Sequence, residues 1–173
     1  TLLIEKKSGS FFVLGELFTS LELPFDGPTT AHCGSCSACI DICPTQAIVE
    51  PYMLDARKCI AYLTIEYKGI IAEELRRGIG NRVFGCDDCQ LICPWNSFAK
   101  KASIEDFNPR HGLDQISLLD IWHWDESTFL ANTEGSPLRR TGYQSFMRNI
   151  AIGLGNAPFS AQILHSLRQT YAT

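Results

Sequence analysis

Cys33-Gly34-Ser35-Cys36-Ser37-Ala38-Cys39-Ile40-Asp41-Ile42-Cys43-Pro44 is the segment around which the chain is organised. A second run, Cys86-x2-Cys89-x3-Cys93-Pro94, ends in the same Cys-Pro pair, and Cys59 stands alone between the two. All eight cysteines of the 173-residue chain fall between Cys33 and Cys93. The first run has the Cys-x2-Cys-x2-Cys-x3-Cys-Pro spacing that holds iron–sulfur clusters, where three closely spaced thiolates grip one cluster and the fourth reaches to its neighbour. Eight thiolates make two sets of four, with none left over. Under that rule Cys33, Cys36, Cys39 and Cys93 hold one 4Fe-4S cluster, and Cys43, Cys59, Cys86 and Cys89 hold the other.

The module is therefore expected to be of bacterial-ferredoxin type, with one departure. A plain two-cluster ferredoxin repeats the full run; here the second run reads as lacking its third cysteine, for which Cys59 substitutes from a separate segment. Zinc competes for paired Cys-x2-Cys motifs, but four cysteines within eleven residues are poor zinc-ribbon spacing. A disulfide framework would call for an oxidising compartment and dispersed bridges. His32, beside Cys33, is read as a neighbour of the cluster rather than a ligand. Trp95 and Phe98, just after Cys93-Pro94, are read as an apolar shield that tunes a cluster's potential.

With 45% hydrophobic residues the chain can bury a core, as one domain or two small ones. Thr1 to Ile4 read as the inside of a strand, and the chain reads as a piece of a longer protein. No run of about 18 apolar residues and no signal-peptide pattern occurs, so a soluble, cytoplasmic protein that does not enter a membrane is expected. The net charge of −4 excludes indiscriminate nucleic-acid binding, which needs many phosphates neutralised at once. A local basic face remains open.

Residues 1–28 are expected to form two strands joined at Gly9, or a helix from Glu16 to Leu21, ending at Pro24 to Pro28. Residues 29–101 form the cluster module. There Ser37 to Ile42 predict a helical turn carrying Cys39 and Cys43, stopped by Pro44. Leu54 to Lys58 deliver Cys59 from a turn, Ile60 to Glu66 are apolar and β-branched, and Ile70 to Arg77 predict an amphipathic helix capped by Gly78. Arg76, Arg77 and Arg82 are taken as a solvated face with a Glu73–Arg77 pair. Residues 102–173 predict helices at Leu118 to Trp122 and Glu126 to Asn132, N-capped by Ser117 and Asp125, and a third element opened by Pro137. Tyr143, Phe146, Met147, Ile150, Ala151 and Leu154 make one apolar stripe. A last helix from about Ser160 to Tyr171 points Ile163, Leu164, Leu167 and Tyr171 inward, giving an α-helical hairpin like one repeat of a solenoid.

The strings HCGSCSACIDICPTQAI, LDARKCIAYLTIEYKG, FGCDDCQLICPWN and GSPLRRTGYQSFMRNIAIGLGN resemble the C-terminal half of the bacterial epoxyqueuosine reductases, over nearly the whole chain. That resemblance implies an α+β chain: the end of an α/β cobalamin-binding domain, the two-cluster module, and a HEAT-like helical tail. It implies reduction of epoxyqueuosine to queuosine at the wobble base of tRNA, with clusters passing electrons to cobalamin. The partners implied are a tRNA with a GUN-type anticodon and an electron donor such as flavodoxin or ferredoxin, acting on a monomer. The family's proton-donating Asp lies upstream of the cysteine module, so the catalytic acid is expected outside this chain. By position, Leu3, Leu14, Leu17, Ala61, Cys86 and Asp87 are the implied cobalamin contacts, the three leucines being otherwise ordinary core. Glu66, Lys68, Arg139, Arg140 and Arg148 are the implied tRNA contacts.

Two alternatives are open. A reductive dehalogenase combines the same cofactors but has no place for the tail from Ser136 to Asn156. A stand-alone ferredoxin-type electron carrier needs neither that tail nor an upstream strand pair.

Overall fold

The computed structural model describes residues 2–30 and 33–171, the side chain of Tyr171 excepted. His32 and the inward placement of Tyr171 therefore lie outside the described residues. The order is α1 (Ala38–Asp41), β1 (Ile48–Glu50), β2 (Met53–Leu54), α2 (Ile60–Ile65), α3 (Glu73–Ile79), α4 (Asp88–Leu91), α5 (Leu118–Trp122), α6 (Glu126–Asn132), α7 (Tyr143–Asn156) and α8 (Ala161–Tyr171). Short 3-10 turns precede Cys59 and follow Cys93, Ile104 and Ser136. The architecture is helix-rich, and the sheet among the described residues is the β1–β2 hairpin, with Ile48 opposite Leu54 and Glu50 opposite Met53.

Each half of the cysteine module is built on one short helix. In α1 the amides of Ile40 and Asp41 bond to Ser37 O at 2.8 and 3.0 Å; in α4 those of Gln90 and Leu91 bond to Asp87 O at 2.9 and 2.7 Å. The two helices pack against each other. Cys36, Cys39 and Cys43 thus recur as Cys86, Cys89 and Cys93, and Val83 occupies the place of Cys33. The position without a thiol is the first of the second run, not the third as the sequence reading had it. Val83 instead packs against the tail core.

Ile60 to Ile65 are helical although two residues are β-branched isoleucines, and Thr64 fits the turn by donating its Oγ1 hydrogen to Ile60 O at 2.7 Å. Ile60, Leu63, Ile71 and Ile79 form a small core beneath the cages. Helix α3 runs on through Gly78 and ends at Gly80, with φ +62°. A Cβ at Gly78 would stand 3.0 Å from Pro44 O, so this glycine permits close packing on the first run rather than capping. The Glu73–Arg77 pair does not form among the described residues; Arg76 donates to Ile71 O, and Arg82 pairs with Asp88 at 2.6 Å.

The tail follows its sequence closely. Ser117 Oγ accepts from Asp120 N at 3.1 Å and Asp125 Oδ1 from Thr128 N at 2.7 Å, capping α5 and α6. Ser136 Oγ accepts from Leu138 N and opens the turn Pro137–Thr141. Phe146, Ile150 and Leu154 of α7 close a core with Ile121 and Phe129, while Ile152 of the same helix packs on the core beneath the cages. Ile163 and Leu167 of α8 join the tail core, but Leu164 stays 38% exposed.

Residues 2–25 depart most from expectation. An isolated bridge joins Glu5 to Gly9, and beyond it neither paired strands nor a helix forms. Leu17 and Phe18 are each 96% exposed. A strand persists only where a neighbour satisfies its backbone groups, and the described residues offer none here.

Candidate metal centre

The eight thiols converge as two cages. Cys33, Cys36, Cys39 and Cys93 line a cavity of about 240 Å³ with Leu2, Ile4 and Trp95. Cys43, Cys59, Cys86 and Cys89 line a second of about 110 Å³ with Leu2, Ala47, Ile48, Leu54 and Ile60. Each run lends its last cysteine to the other cage. None of the eight forms a disulfide. Among the described residues no three His, Cys, Asp or Glu stand close enough to share one ion. Thiols spaced around a volume, walled mainly by apolar side chains with Asp88 at the second cage, suit a cluster of several irons better than a single zinc.

Electrostatics set Cys43 apart from Cys86 and Cys89 in the second cage. Burial, then the neighbouring Cys86, Cys59 and Cys39, push the Cys89 thiol up to about 11. Burial also raises Cys86, aided by Asp88 and Cys59 and opposed chiefly by the Asp88 amide. Four thiolates in one apolar cage repel one another unless a cation compensates, and bound iron does so. Cys43 differs: burial raises it, but amides of Ala47, Ile48 and Thr45 outweigh burial and bring the thiol down. The Ala47 amide lies 3.2 Å from Sγ. Thr45 Oγ1, beside that sulfur, donates to Lys58 O at 2.6 Å and so ties Cys43 to the residue preceding Cys59.

The remaining candidates fall into two groups. Leu3, Leu14 and Leu17 are exposed at 62, 70 and 96%, so they are not core. Ala61 is half-buried one residue into α2, and Asp87 is exposed at the start of α4. Of these six, Cys86 alone lines a cage. Glu66 pairs with Arg140 at 2.6 Å, and Lys68 Nζ donates to Thr141 O at 2.6 Å and Arg140 O at 3.2 Å. Arg139 is exposed and donates to Leu130 O. Arg148 is half-buried and donates to Leu63 O, Tyr67 O and Gly69 O; burial lowers its guanidinium pKa, with Tyr67 opposing. Trp95 lines the first cage, and Phe98 lies against it with ring centroids 6.1 Å apart.

Sequence reasoning missed Leu2, Ile4 and Thr45. Leu2 borders both cages and Ile4 the first, while Leu3 faces away. The signal was present as period-two alternation in an extended segment. It also missed how that segment is held: Ser10 N donates to Asn96 Oδ1 at 2.6 Å, and Gln90 Nε2 donates to Ser10 O at 3.0 Å.

Fold and cages together define an iron–sulfur protein with a two-cluster ferredoxin-type module and a helical tail. Residues 32–96 match the 4Fe-4S double cluster binding domain. The chain is 59% identical over 167 residues to an epoxyqueuosine reductase of Xanthomonas campestris, covering 96% of this chain and 47% of that protein. It is 59% identical over 169 residues to one of Pseudomonas aeruginosa, covering 97% of this chain and 47% of the relative. A crystal structure of epoxyqueuosine reductase with a tRNA-Tyr epoxyqueuosine-modified stem loop superposes with a TM-score of 0.75 at 32% identity, covering 83% of this chain and 38% of that one. The chain belongs to the epoxyqueuosine reductase family and spans about half the length of the curated relatives it matches.

Proposed function

We propose that this chain is the cluster-bearing part of an oxidoreductase that reduces epoxyqueuosine to queuosine at the wobble position of a GUN-type tRNA. The observation that carries the reading is the pairing of two four-thiol cages within a chain 59% identical to epoxyqueuosine reductases. Cys33, Cys36, Cys39 and Cys93 are the ligands of one 4Fe-4S cluster, and Cys43, Cys59, Cys86 and Cys89 those of the other. Such clusters pass electrons singly, and an electron donor such as flavodoxin or ferredoxin supplies them. Cobalamin, when bound, would supply the low-valent cobalt chemistry for the reduction.

The chain's own residues hold and insulate these groups. Leu2, Ile4 and Trp95 keep water from the first cage, and the Ala47 amide beside Cys43 favours a more negatively charged sulfur in the second. Residues 1–28 are the end of a cobalamin domain, with exposed Leu3, Leu14 and Leu17 as its apolar contacts and Ala61, Cys86 and Asp87 facing the cofactor. Residues 102–173 are a HEAT-like tRNA-docking region. Arg139 and Arg140, with Glu66 and Lys68 at their base and Arg148 behind, form its basic face. The catalytic acid belongs to the rest of the protein, which works as a cytoplasmic monomer. Among the described residues no helix is long and apolar enough to cross a membrane.

The test is anaerobic reconstitution followed by iron and acid-labile sulfide analysis, then binding of an epoxyqueuosine-modified stem loop. About eight irons per chain are expected for two four-iron clusters. Arg139→Ala is expected to weaken binding and flatten its salt dependence by about one charge. Zinc in place of iron, or a stem loop that does not bind, overturns the reading.

A further inference from the structure

Cys59 and Cys86 stand on separate segments, so local chain geometry does not fix the distance between their sulfurs as it does for Cys36 and Cys39. Something else must hold them. Cys59 is the residue before the first turn of α2, and Cys86 follows the loop from Val83 to Gly85. Asn149 of α7, 0% exposed, bridges the two segments that carry them. Its Nδ2 donates to Thr64 O in α2 at 2.8 Å and to Val83 O in the loop at 2.9 Å. Thr64 Oγ1 accepts from the Gly85 amide at 2.9 Å, one residue before Cys86. Asn149 Oδ1 is in turn held by Arg148, from Nε at 3.1 Å and from a terminal nitrogen at 2.9 Å. Arg148 itself anchors on the carbonyl of Leu63 in α2 and on those of Tyr67 and Gly69 just beyond it.

We propose that Asn149 is a positioning residue for the second cluster: through Thr64 and Val83 it sets the separation of Cys59 and Cys86. This rests on the cluster reading of the second cage. The amide side chain is suited to the task because it donates two hydrogens in one plane while its oxygen is oriented by an adjacent cation. No apolar residue of similar size closes the same gap without leaving the carbonyls of Thr64 and Val83 unpaired in a buried site. The tail thereby does for Cys59 and Cys86 what two intervening residues do for Cys36 and Cys39. Ligand placement through surrounding hydrogen bonds also tunes a cluster's potential.

The experiment is an anaerobic redox titration of the cluster-loaded protein followed by EPR, with iron counted beforehand. If the unmutated protein holds no iron, the cluster reading fails and the inference falls with it. If it holds about eight irons, Asn149→Asp, which puts an acceptor against two carbonyls, is expected to shift the midpoint potential of one cluster and leave the other in place. Ile150→Val on the same helix is expected to shift neither, which separates positioning from loss of packing. Thr64→Val and Thr64→Ser form a second pair: the valine is expected to shift the same cluster and the serine, which keeps the hydroxyl, to restore it. Both potentials unchanged in Asn149→Asp overturn the proposal. Should Asn149→Asp not fold, the threonine pair decides alone, and valine behaving like serine overturns it.

Discussion

In the first cysteine run the chain turns at Ser37, with φ −112°, and in the second at Asp87, with φ −111°. Cys43 N bonds to Ile40 O at 3.3 Å, and Cys93 N to Gln90 O at 3.1 Å. The amides two residues beyond each proline, of Gln46 and Asn96, reach back to Cys43 O and Cys93 O at 3.1 and 3.0 Å. Local geometry is thus shared, but the surroundings are not. The first run carries its own three thiols for one cage. The second has Val83 where Cys33 stands in the first, and Val83 is committed to α7: its Cγ1 lies against Gly153 and its carbonyl accepts from Asn149. The thiol missing from the second run is replaced by Cys59, just before α2, and tertiary packing takes over the alignment that sequence proximity gives in the first run.

That contrast can be broken most directly at the thiols. Cys59→Ala is expected to lower iron from about eight to about four per chain, and adding Val83→Cys is expected not to restore it, because that side chain faces the tail rather than the cage. Iron analysis of the single and double variants checks this; full recovery in the double variant would mean that the second run is still complete in itself. Phe146→Ala, which hollows the core behind the second run, is expected to cost about 3–5 kcal/mol, read by chemical denaturation. Next in size is Gly9→Ala. Gly9 has φ +80°, and a Cβ there would collide with Asn96 Oδ1, on the turn after Cys93. The left-handed backbone alone costs a non-glycine residue about 1–2 kcal/mol, and the expected outcome is release of residues 2–10 from the cages, seen as faster proteolysis of that segment.

Smallest is a pH effect confined to the tail. Hydrogen bonds from Thr128, side chain and amide, and then from Ser127 hold the Asp125 carboxyl below the usual Asp value of 3.8. A lowered folded-state pKa means that the α6 cap is fully effective above pH 3.8 and is lost as pH falls through the folded value. Asp125→Asn is expected to remove that acid-side loss and leave neutral-pH stability little changed, checked by thermal unfolding between pH 3 and 7. An unchanged acid profile would show that the carboxylate does not titrate with folding.

Much of this was legible in the residues themselves. Ser117, Asp125 and Ser136 announced their caps, because a short polar side chain before an apolar period has one nearby set of free amides to satisfy. The stripe from Tyr143 to Leu154 announced α7 for the same local reason. Two cavities are lined by four thiols each. The register of the second run was legible but misread: the shared Cys-x2-Cys-x3-Cys-Pro ending aligns Cys86, Cys89 and Cys93 with Cys36, Cys39 and Cys43 and leaves Val83 at the place of Cys33. Leu3, Leu14 and Leu17 read as cobalamin contacts or else ordinary core; their exposure excludes the core alternative, because composition does not say whether a neighbour is present to cover them.

What the sequence determined by itself is therefore everything set within a few residues: the turns that present Cys36, Cys39, Cys86 and Cys89, the helix caps and the apolar face of α7. Tertiary structure alone decided which face of residues 2–4 borders the cages, that Gly78 serves close packing, and that Arg148 and Asn149 point inward to α2. Local periodicity fixes which side of a helix a residue lies on, but not what lies opposite. A polar pair on a helix becomes a clamp only when distant backbone carbonyls are brought against it, and those carbonyls lie some 80 residues away along the chain.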